Sequence, residues 1–271
     1  MYPNCEYCLK NNYKKDDYCF AGQKFSVIKC ANCGLARTWP IPVESGEVEK
    51  FYEEFDDYNL LYKNLNLRKI YCKKILKIIN IYKKRGKLLD VGCNIGVMVK
   101  ESMNKGYSAA GIDISNSAIE FGKKYLSLSG HLFHGILSEN LFLNKKFDII
   151  TYVHVLEHIT DLNAEFEKIK KILKQDGILL ISAPNYNSLW RVLLRNKWYG
   201  FSPKQHIWQF SRESLEKILK KSNFSILKTY TCHSLDHEIN FSPKGFIKLI
   251  ILVCAFIFGY GDNLILIAKK T

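Results

Sequence analysis

The feature that most constrains the fold is a regular alternation of short apolar runs and helical stretches that begins at Lys87. The apolar runs have the length of buried strands, and the stretches between them have the apolar spacing of helices. Such alternation favours a mostly parallel sheet that is covered by helices on both faces. The predicted strands are Leu88–Val91, Ser108–Ile112, Phe147–Tyr152, Gly177–Ser182, Ser225–Thr231 and Leu264–Ala268, and the predicted helices are 95–105, 116–127, 160–174 and 211–221, the last one capped by Ser211.

Composition and charge limit the class of protein to which the chain can belong and the kind of partner it can have. Of its 271 residues, 47% are hydrophobic and 24% are charged, which is typical of globular proteins and excludes a disordered chain. The net charge of +14 favours anionic partners, namely phosphates, acidic glycans, nucleic acid or a membrane surface. The N-terminus lacks a signal-peptide pattern, and the longest apolar run, Leu249–Phe258, has only ten residues. We therefore expect a cytoplasmic protein without a membrane-spanning helix.

Two Cys-x2-Cys pairs near the N-terminus predict a metal site. The pair Cys5 and Cys8 and the pair Cys30 and Cys33 would each place two thiolates on one side of a tight loop. Four thiolates suit a tetrahedral Zn²⁺ ion and leave no position for a substrate, so this zinc would be structural. Cys19, which lies between the two pairs, is an alternative ligand.

The chain divides into three predicted parts. Residues 1–45 would form a small zinc-ribbon-like module, which the prolines of 39–42 would end as an extended connector. Residues 46–84 would link this module to the α/β domain through an amphipathic helix, and the stretch 63–87 contains ten basic and no acidic residues. This helix could pack on the next domain or contact an anionic substrate or lipid. Residues 85–271 would form the α/β domain.

A glycine turn follows the first predicted strand of the α/β domain. Asp90 ends the strand, and Gly92 and Gly96 would let a ligand approach the backbone where the next helix begins. The G-x-G-x-x-G pattern that binds a dinucleotide pyrophosphate is missing, because Asn94 and Val97 occupy the other glycine positions. NAD is therefore disfavoured, and the Asp90 carboxylate could instead receive an ammonium group.

Five segments, in the correct order, resemble the class I S-adenosylmethionine-dependent methyltransferases. They are Asp90–Gly96, Gly111–Asp113, Phe147–Ile159, Leu173–Ile181 and Gly261–Ala268. The resemblance implies a Rossmann-like, mostly parallel sheet of seven strands in the order 3-2-1-4-5-7-6, with the last strand antiparallel. The cysteine module resembles the zinc-binding N-terminal region of some bacterial members, including sugar C-methyltransferases.

The resemblance also implies a site for S-adenosylmethionine. Asp113, which ends the second strand, would accept both hydroxyls of the ribose. Ile136 stands where the family often has an acidic residue for adenine, and Glu139 is the displaced alternative. Asn94 replaces a family glycine but tolerates left-handed backbone. The residues expected at the cofactor are Asp90, Gly92, Cys93, Asn94, Gly96, Asp113, Ile114, Ile136 and Leu137.

The acceptor side is expected beyond the strand Phe147–Tyr152. His154 follows this strand and is the first candidate base, whereas the resemblance implies that His158 is partly structural. Residues 186–210, the lid segment, contain seven aromatic and four basic residues, no acidic residue, and His206 as the next candidate base. We expect the His154 loop and the lid segment to wall the acceptor pocket and to grip an anionic acceptor. The alternative for the lid segment is a packed subdomain.

These features predict an S-adenosylmethionine-dependent methyltransferase that acts on a small molecule, a sugar or a lipid-linked glycan intermediate. O-methylation is the first choice, and C- and N-methylation stay open. Nucleic acid is disfavoured as the substrate, because Val153–Leu156 replaces an Asn/Asp-Pro-Pro-Tyr motif. The competing class is a non-catalytic protein whose zinc module and basic surface recruit a partner. The apolar stretch 246–258 would be core, a dimer interface or a peripheral membrane helix.

Overall fold

The computed structural model describes residues 4–10, 12–19, 25–41, 64–137, 142, 145–232 and 260–271. The apolar stretch 246–258, Glu139 and the first part of the predicted linking region, 46–63, lie outside these described residues. No helix in the described part of the chain is both long and apolar enough to cross a membrane.

The described strands and helices are numbered along the chain. The strands are β1 Tyr13–Cys19, β2 Ser26–Cys30, β3 Ala36–Trp39, β4 Lys87–Val91, β5 Ser108–Asp113, β6 Leu132–His134, β7 Phe147–Val153, β8 Leu173–Pro184, β9 Trp208–Gln209, β10 Phe224–Cys232 and β11 Asn263–Lys270. The α-helices are α1 Leu65–Tyr82, α2 Val97–Asn104, α3 Asn116–Tyr125, α4 Leu162–Ile172, α5 Leu189–Leu194 and α6 Arg212–Lys221, and short 3-10 helices cover Leu156–His158 and Arg195–Lys197.

The larger sheet has seven strands in the order β10-β11-β8-β7-β4-β5-β6. Read from the opposite edge, this order confirms the one expected from the sequence. β4 pairs in parallel with both β5 and β7, and β5 pairs in parallel with β6. Four consecutive residues of β4 are buried, as expected for a strand that is covered on both faces.

The smaller sheet joins two distant parts of the sequence. It has the order β1-β2-β3-β9, and its pairings are antiparallel. β9 comes from the lid segment and pairs with β3 through Ala36 opposite Gln209 and Arg37 opposite Trp208. The lid segment therefore continues the sheet of the cysteine module, a pairing that the sequence analysis did not predict.

The described residues form two compact units. The first contains the described parts of Met1–Glu44, Leu156–Thr160 and Ser182–Leu266. The second contains those of Ser45–Val155, Asp161–Ile181 and Ile267–Thr271. This division does not test the predicted boundaries after residues 45 and 84, which stay predictions.

The aromatic residues of the lid segment build the core of the first unit. Tyr186, Trp190, Trp198 and Phe201 pack with Val27 and Ala36 of the small sheet, and Trp208 and Phe210 are also buried. Only Tyr199 among the seven aromatic residues is substantially exposed, at 39%. The packed alternative is therefore favoured for these rings, because rings that fill a core cannot stack on an acceptor.

In the second unit, α1 is the basic amphipathic helix expected from the sequence. It buries Cys72, Ile75, Leu76 and Ile79, and it packs against α2. Burial of this apolar face supports the expectation that the helix packs on the α/β domain.

N-cap residues determine where several of the helices begin. Ser211 caps α6 as predicted, through a reciprocal capping box with Ser214. The side chains of Ser115 and Asp161 accept hydrogen bonds from backbone amides in the first turns of α3 and α4. These residues fix where the helices begin relative to the ends of the preceding strands.

Candidate functional site

The turn after β4 has the backbone that its glycines predict. Gly92, Asn94 and Gly96 have φ angles of +69°, +50° and +84°, in the left-handed region. A Cβ atom at Gly92 would lie 2.2 Å from Cγ2 of Val155, so a side chain there would have to displace this valine. The Asn94 side chain supports its own turn, because its Oδ1 accepts a hydrogen bond from the Ile95 amide at 2.9 Å.

Asp113 lies at the end of β5 and is tied to this turn. Its Oδ2 accepts a hydrogen bond from the Asn94 amide at 2.7 Å, and its Oδ1 accepts one from the Ser115 amide at 2.9 Å. Burial raises the pKa of Asp113, although these two hydrogen bonds oppose the rise. Each oxygen keeps a second lone pair, so the carboxylate fits the two adjacent hydroxyls of a ribose.

Asp90 is a buried carboxyl group at the end of β4. Its Oδ1 accepts a hydrogen bond of 2.6 Å from the Thr151 hydroxyl on β7. Burial, aided by the charge of Asp113, raises the pKa of Asp90 to about 7. A cation such as a ligand ammonium would favour the charged form, so Asp90 fits the role expected from the sequence.

The other expected cofactor residues differ in their exposure. Cys93 is buried, and its Sγ would lie 2.6 Å from a Cβ atom at Gly111. The carbonyl of Ile114 accepts a hydrogen bond from Nε2 of His134 at 3.0 Å. Ile136 is 42% exposed whereas Leu137 is buried. Of Ile136 and Leu137, only Ile136 presents a large apolar surface to solvent, and Glu139, the other residue considered for adenine, lies outside the described residues.

His154 lies at the same edge of the sheet as the glycine turn. Val91 is opposite both Ile112 and Tyr152 in the parallel registers, so the residues that follow these three strands leave the sheet side by side. His154 has a left-handed φ of +57°, and its ring lies 6.0 Å from that of Tyr71. It therefore lies at the edge where an acceptor is expected in this kind of sheet.

His206 lies in the first compact unit, beside two other side chains of the kind that can bind a metal ion. Glu157, His158 and His206 place one ligand atom each within 4.8 Å of the others. The imidazole rings of His158 and His206 are 4.8 Å apart between centroids. The structure therefore groups His206 with the Glu157–His158 pair, whereas His154 belongs to the second unit.

The four cysteines of the two Cys-x2-Cys pairs come together. The sulfurs of Cys5 and Cys33 are 3.5 Å apart, those of Cys8 and Cys30 are 3.6 Å apart, and all four lie within 4.8 Å of one another. A tetrahedral ion with Zn–S distances of about 2.3 Å places its sulfurs about 3.8 Å apart. The donor set and its spacing therefore fit a single metal ion.

The comparisons with known proteins agree with the geometry. A family model described as a methyltransferase domain matches residues 64–229, more than half of the chain. The chain belongs to this methyltransferase family. The seven-stranded sheet and the glycine turn are thus the framework of a methyltransferase domain.

Relatives and solved structures support this assignment. The methyltransferase is 28% identical over 240 residues to the ubiquinone biosynthesis O-methyltransferase of Pelagibacter ubique, which covers 76% of this chain and 98% of that protein. The protein of the same name from Haemophilus ducreyi is 33% identical over 107 residues, which are 36% of this chain and 45% of the relative. A SAM-dependent methyltransferase structure from Archaeoglobus fulgidus matches with a TM-score of 0.56 at 23% identity, over 79% of this chain and 100% of that one, which shows a shared fold.

Two polar residues of the candidate site, Ser115 and Thr151, were not predicted from the sequence. Ser115 donates its amide to Asp113 and also caps α3, and its position two residues after an aspartate, before a helical stretch, was a usable signal. The Thr151 hydroxyl donates to Asp90 from the neighbouring strand β7. This contact could be predicted only if the register between β4 and β7 were already known.

Replacing Asp113 with alanine should weaken S-adenosylmethionine binding at least about tenfold, because hydrogen bonds to a charged group contribute roughly 1.5–3 kcal/mol each. Isothermal titration calorimetry measures this change. Asp176→Asn is the matched control, since the Asp176 side chain is 75% exposed. Unchanged affinity in Asp113→Ala would remove this residue from the cofactor site.

The raised pKa of Asp90 predicts a pH dependence of cofactor binding. Affinity should increase from about pH 5.5 to about pH 7.5, as the carboxyl group becomes charged and attracts the ammonium group, and Asp90→Asn should flatten this profile. Folding raises this pKa, so the stability contributed by Asp90 is present at low pH and is lost as pH rises towards 7. The melting temperature of the unliganded wild type should therefore fall relative to Asp90→Asn over this range. A flat binding profile in the wild type would contradict the ammonium contact.

Proposed function

We propose that this methyltransferase uses S-adenosylmethionine to O-methylate a small-molecule acceptor. The observation that carries the proposal is the register of β4, β5 and β7, which brings Gly92, Asp113 and His154 to one edge of the sheet. The likeness to the Pelagibacter protein, which spans 98% of that O-methyltransferase, favours a hydroxyl oxygen as the acceptor atom.

The cofactor would be held by residues of the second compact unit. Asp113 would accept hydrogen bonds from the ribose hydroxyls, and Asp90 would face the ammonium group. Gly92 and Gly96 would let the cofactor approach the backbone, and the exposed Ile136 would cover one face of adenine. When bound, S-adenosylmethionine supplies an electrophilic methyl group. The chain's own residues orient the acceptor and remove its proton.

His154 is the proposed general base. An imidazole can accept the proton of a hydroxyl group near neutral pH, and His154 follows the strand whose end meets the glycine turn. The left-handed backbone at His154 turns the chain directly after β7. Such backbone in a residue other than glycine is uncommon and often marks a functional site.

The proposed acceptor is a small molecule, a sugar or a lipid-linked glycan intermediate that carries negative charge. Arg195, Lys197 and Lys204 of the lid segment are exposed, and the chain has a net charge of +14. Phosphate and carboxylate groups are the anions that such side chains recognise. The six buried aromatic rings of the lid segment are part of a packed core, so they are not proposed to stack on the acceptor.

The direct test is incubation of the purified protein with labelled S-adenosylmethionine and a fractionated cell extract. Label should enter the small-molecule or glycan fraction, and nuclear magnetic resonance of the product should show an O-methyl group. An N-methyl or C-methyl product would correct the reaction type. Absence of both cofactor binding and labelled product would favour the non-catalytic alternative, in which the cysteine module and the basic surface recruit a partner.

His154→Asn should lower turnover by roughly 10²- to 10⁴-fold, the usual contribution of a general base, while cofactor affinity stays near that of the wild type. Asparagine is chosen because it tolerates left-handed backbone better than alanine does. Steady-state kinetics and calorimetry separate the two effects. If His154→Asn turns over normally, proton removal belongs to another group, and His206 is the next candidate.

We further propose that Cys5, Cys8, Cys30 and Cys33 hold one structural Zn²⁺ ion. Cys30→Ser should lower the zinc content by about one equivalent per chain and lower the melting temperature. Cys72→Ser is the matched control, because Cys72 is also a buried free cysteine but lies on α1. Equal zinc contents in the wild type and Cys30→Ser would exclude this site.

A further inference from the structure

The 3-10 helix after β7 and the lid segment bring three metal-ligating side chains together. Glu157 and His158 lie on the helix Leu156–His158, and His206 comes from the segment just before β9. Their ligand atoms all lie within 4.8 Å of one another. Apart from the four cysteines, this is the one such group among the residues that the structure describes.

Hydrogen bonds determine which ring nitrogen of His158 and of His206 carries the proton. Nδ1 of His158 is 3.0 Å from the Gln205 carbonyl oxygen, and Nδ1 of His206 is 2.8 Å from the Gly200 carbonyl oxygen. A carbonyl oxygen can only accept, so both Nδ1 atoms carry the proton. In the neutral ring, Nε2 then carries a lone pair. Metal-bound histidines use this arrangement, in which the nitrogen that does not bind the metal donates to a carbonyl or carboxylate.

The burial of the group favours a cation between the three side chains. Glu157 is 1% exposed and His206 is 9% exposed. Moving a carboxylate from water to such depth is costly, and a nearby positive charge lowers this cost. A divalent cation held between the three ligand atoms would place positive charge beside the carboxylate and would bind the Nε2 lone pairs.

We propose that Glu157, His158 and His206 bind a second divalent metal ion, distinct from the one expected at the four cysteines. Two imidazole nitrogens and one carboxylate oxygen suit Zn²⁺ or another late first-row transition metal. Three protein ligands leave a fourth position for water or for an oxygen of another ligand. A metal-bound His206 would not be free to act as a base. This inference does not depend on the proposed O-methylation.

The test is zinc loading of the full-length protein, followed by removal of free metal and elemental analysis. The wild type should retain about two equivalents per chain, whereas His206→Ala and Glu157→Gln should each retain about one. His131→Ala is the matched control, because Nδ1 of His131 also bonds a carbonyl oxygen, that of Ala109, at 3.0 Å. His131 lies outside the group, so this variant should retain about two equivalents. Unchanged zinc in both variants of the group would overturn the proposal.

X-ray absorption at the zinc edge of the loaded wild type gives a result that does not depend on the folding of variants. The proposal predicts a sulfur shell near about 2.3 Å and a nitrogen or oxygen shell near about 2.0–2.1 Å. Scattering from sulfur alone would overturn the second site. Nitrogen and oxygen scattering alone, with one equivalent of zinc, would support this site and contradict the cysteine site.

Discussion

The site depends on the parallel pairing of β4 with β5 and β7. Because the side chains at the carboxyl ends of parallel strands meet at one edge, a single register places Gly92, Asp113 and His154 there together. The same pairing sets Thr151 beside Asp90 and lets the Asn94 amide reach Asp113. The residues proposed for the cofactor and for the base are far apart in sequence, and this pairing brings them to one framework.

A second framework lies in the first compact unit, where residues 205–209 are hydrogen-bonded on two sides. On one side, the Thr38 amide and hydroxyl donate to the carbonyls of Ile207 and His206. On the other, the Ile207 amide donates to the Glu157 carbonyl, and Nε1 of Trp208 donates to the Ile159 carbonyl. The cysteine module therefore supports the residues that directly follow the His154 loop in the chain. The zinc ion proposed at the four cysteines would stabilise this module and would thereby have a structural role.

Both the parallel pairing of β4 with β5 and β7 and the hydrogen-bonded segment 205–209 lie next to buried carboxyl groups. Asp90, Asp113 and Glu157 are removed from most of the solvent, although such burial opposes their charged forms. The charged form of a buried carboxyl group costs stability to the extent that its partners do not compensate for lost hydration. A ligand ammonium, ribose hydroxyls and a metal ion would be such partners. Because these carboxyl groups are costly to bury, their presence fits a role in binding a ligand or a metal ion.

The sequence by itself determined the features that depend on neighbouring residues. Alternating apolar runs and glycines predicted the strands and the turn at Gly92, Ser211 predicted a helix start, and the paired cysteines predicted their own cluster. Only the tertiary structure decided that β9 joins β3, that the lid aromatics fill a core, and that Glu157, His158 and His206 meet. Those features join segments far apart in the chain, and no local preference specifies such contacts. They arise because unpaired strand edges and apolar rings must be covered, and the rest of the fold determines which segment covers them.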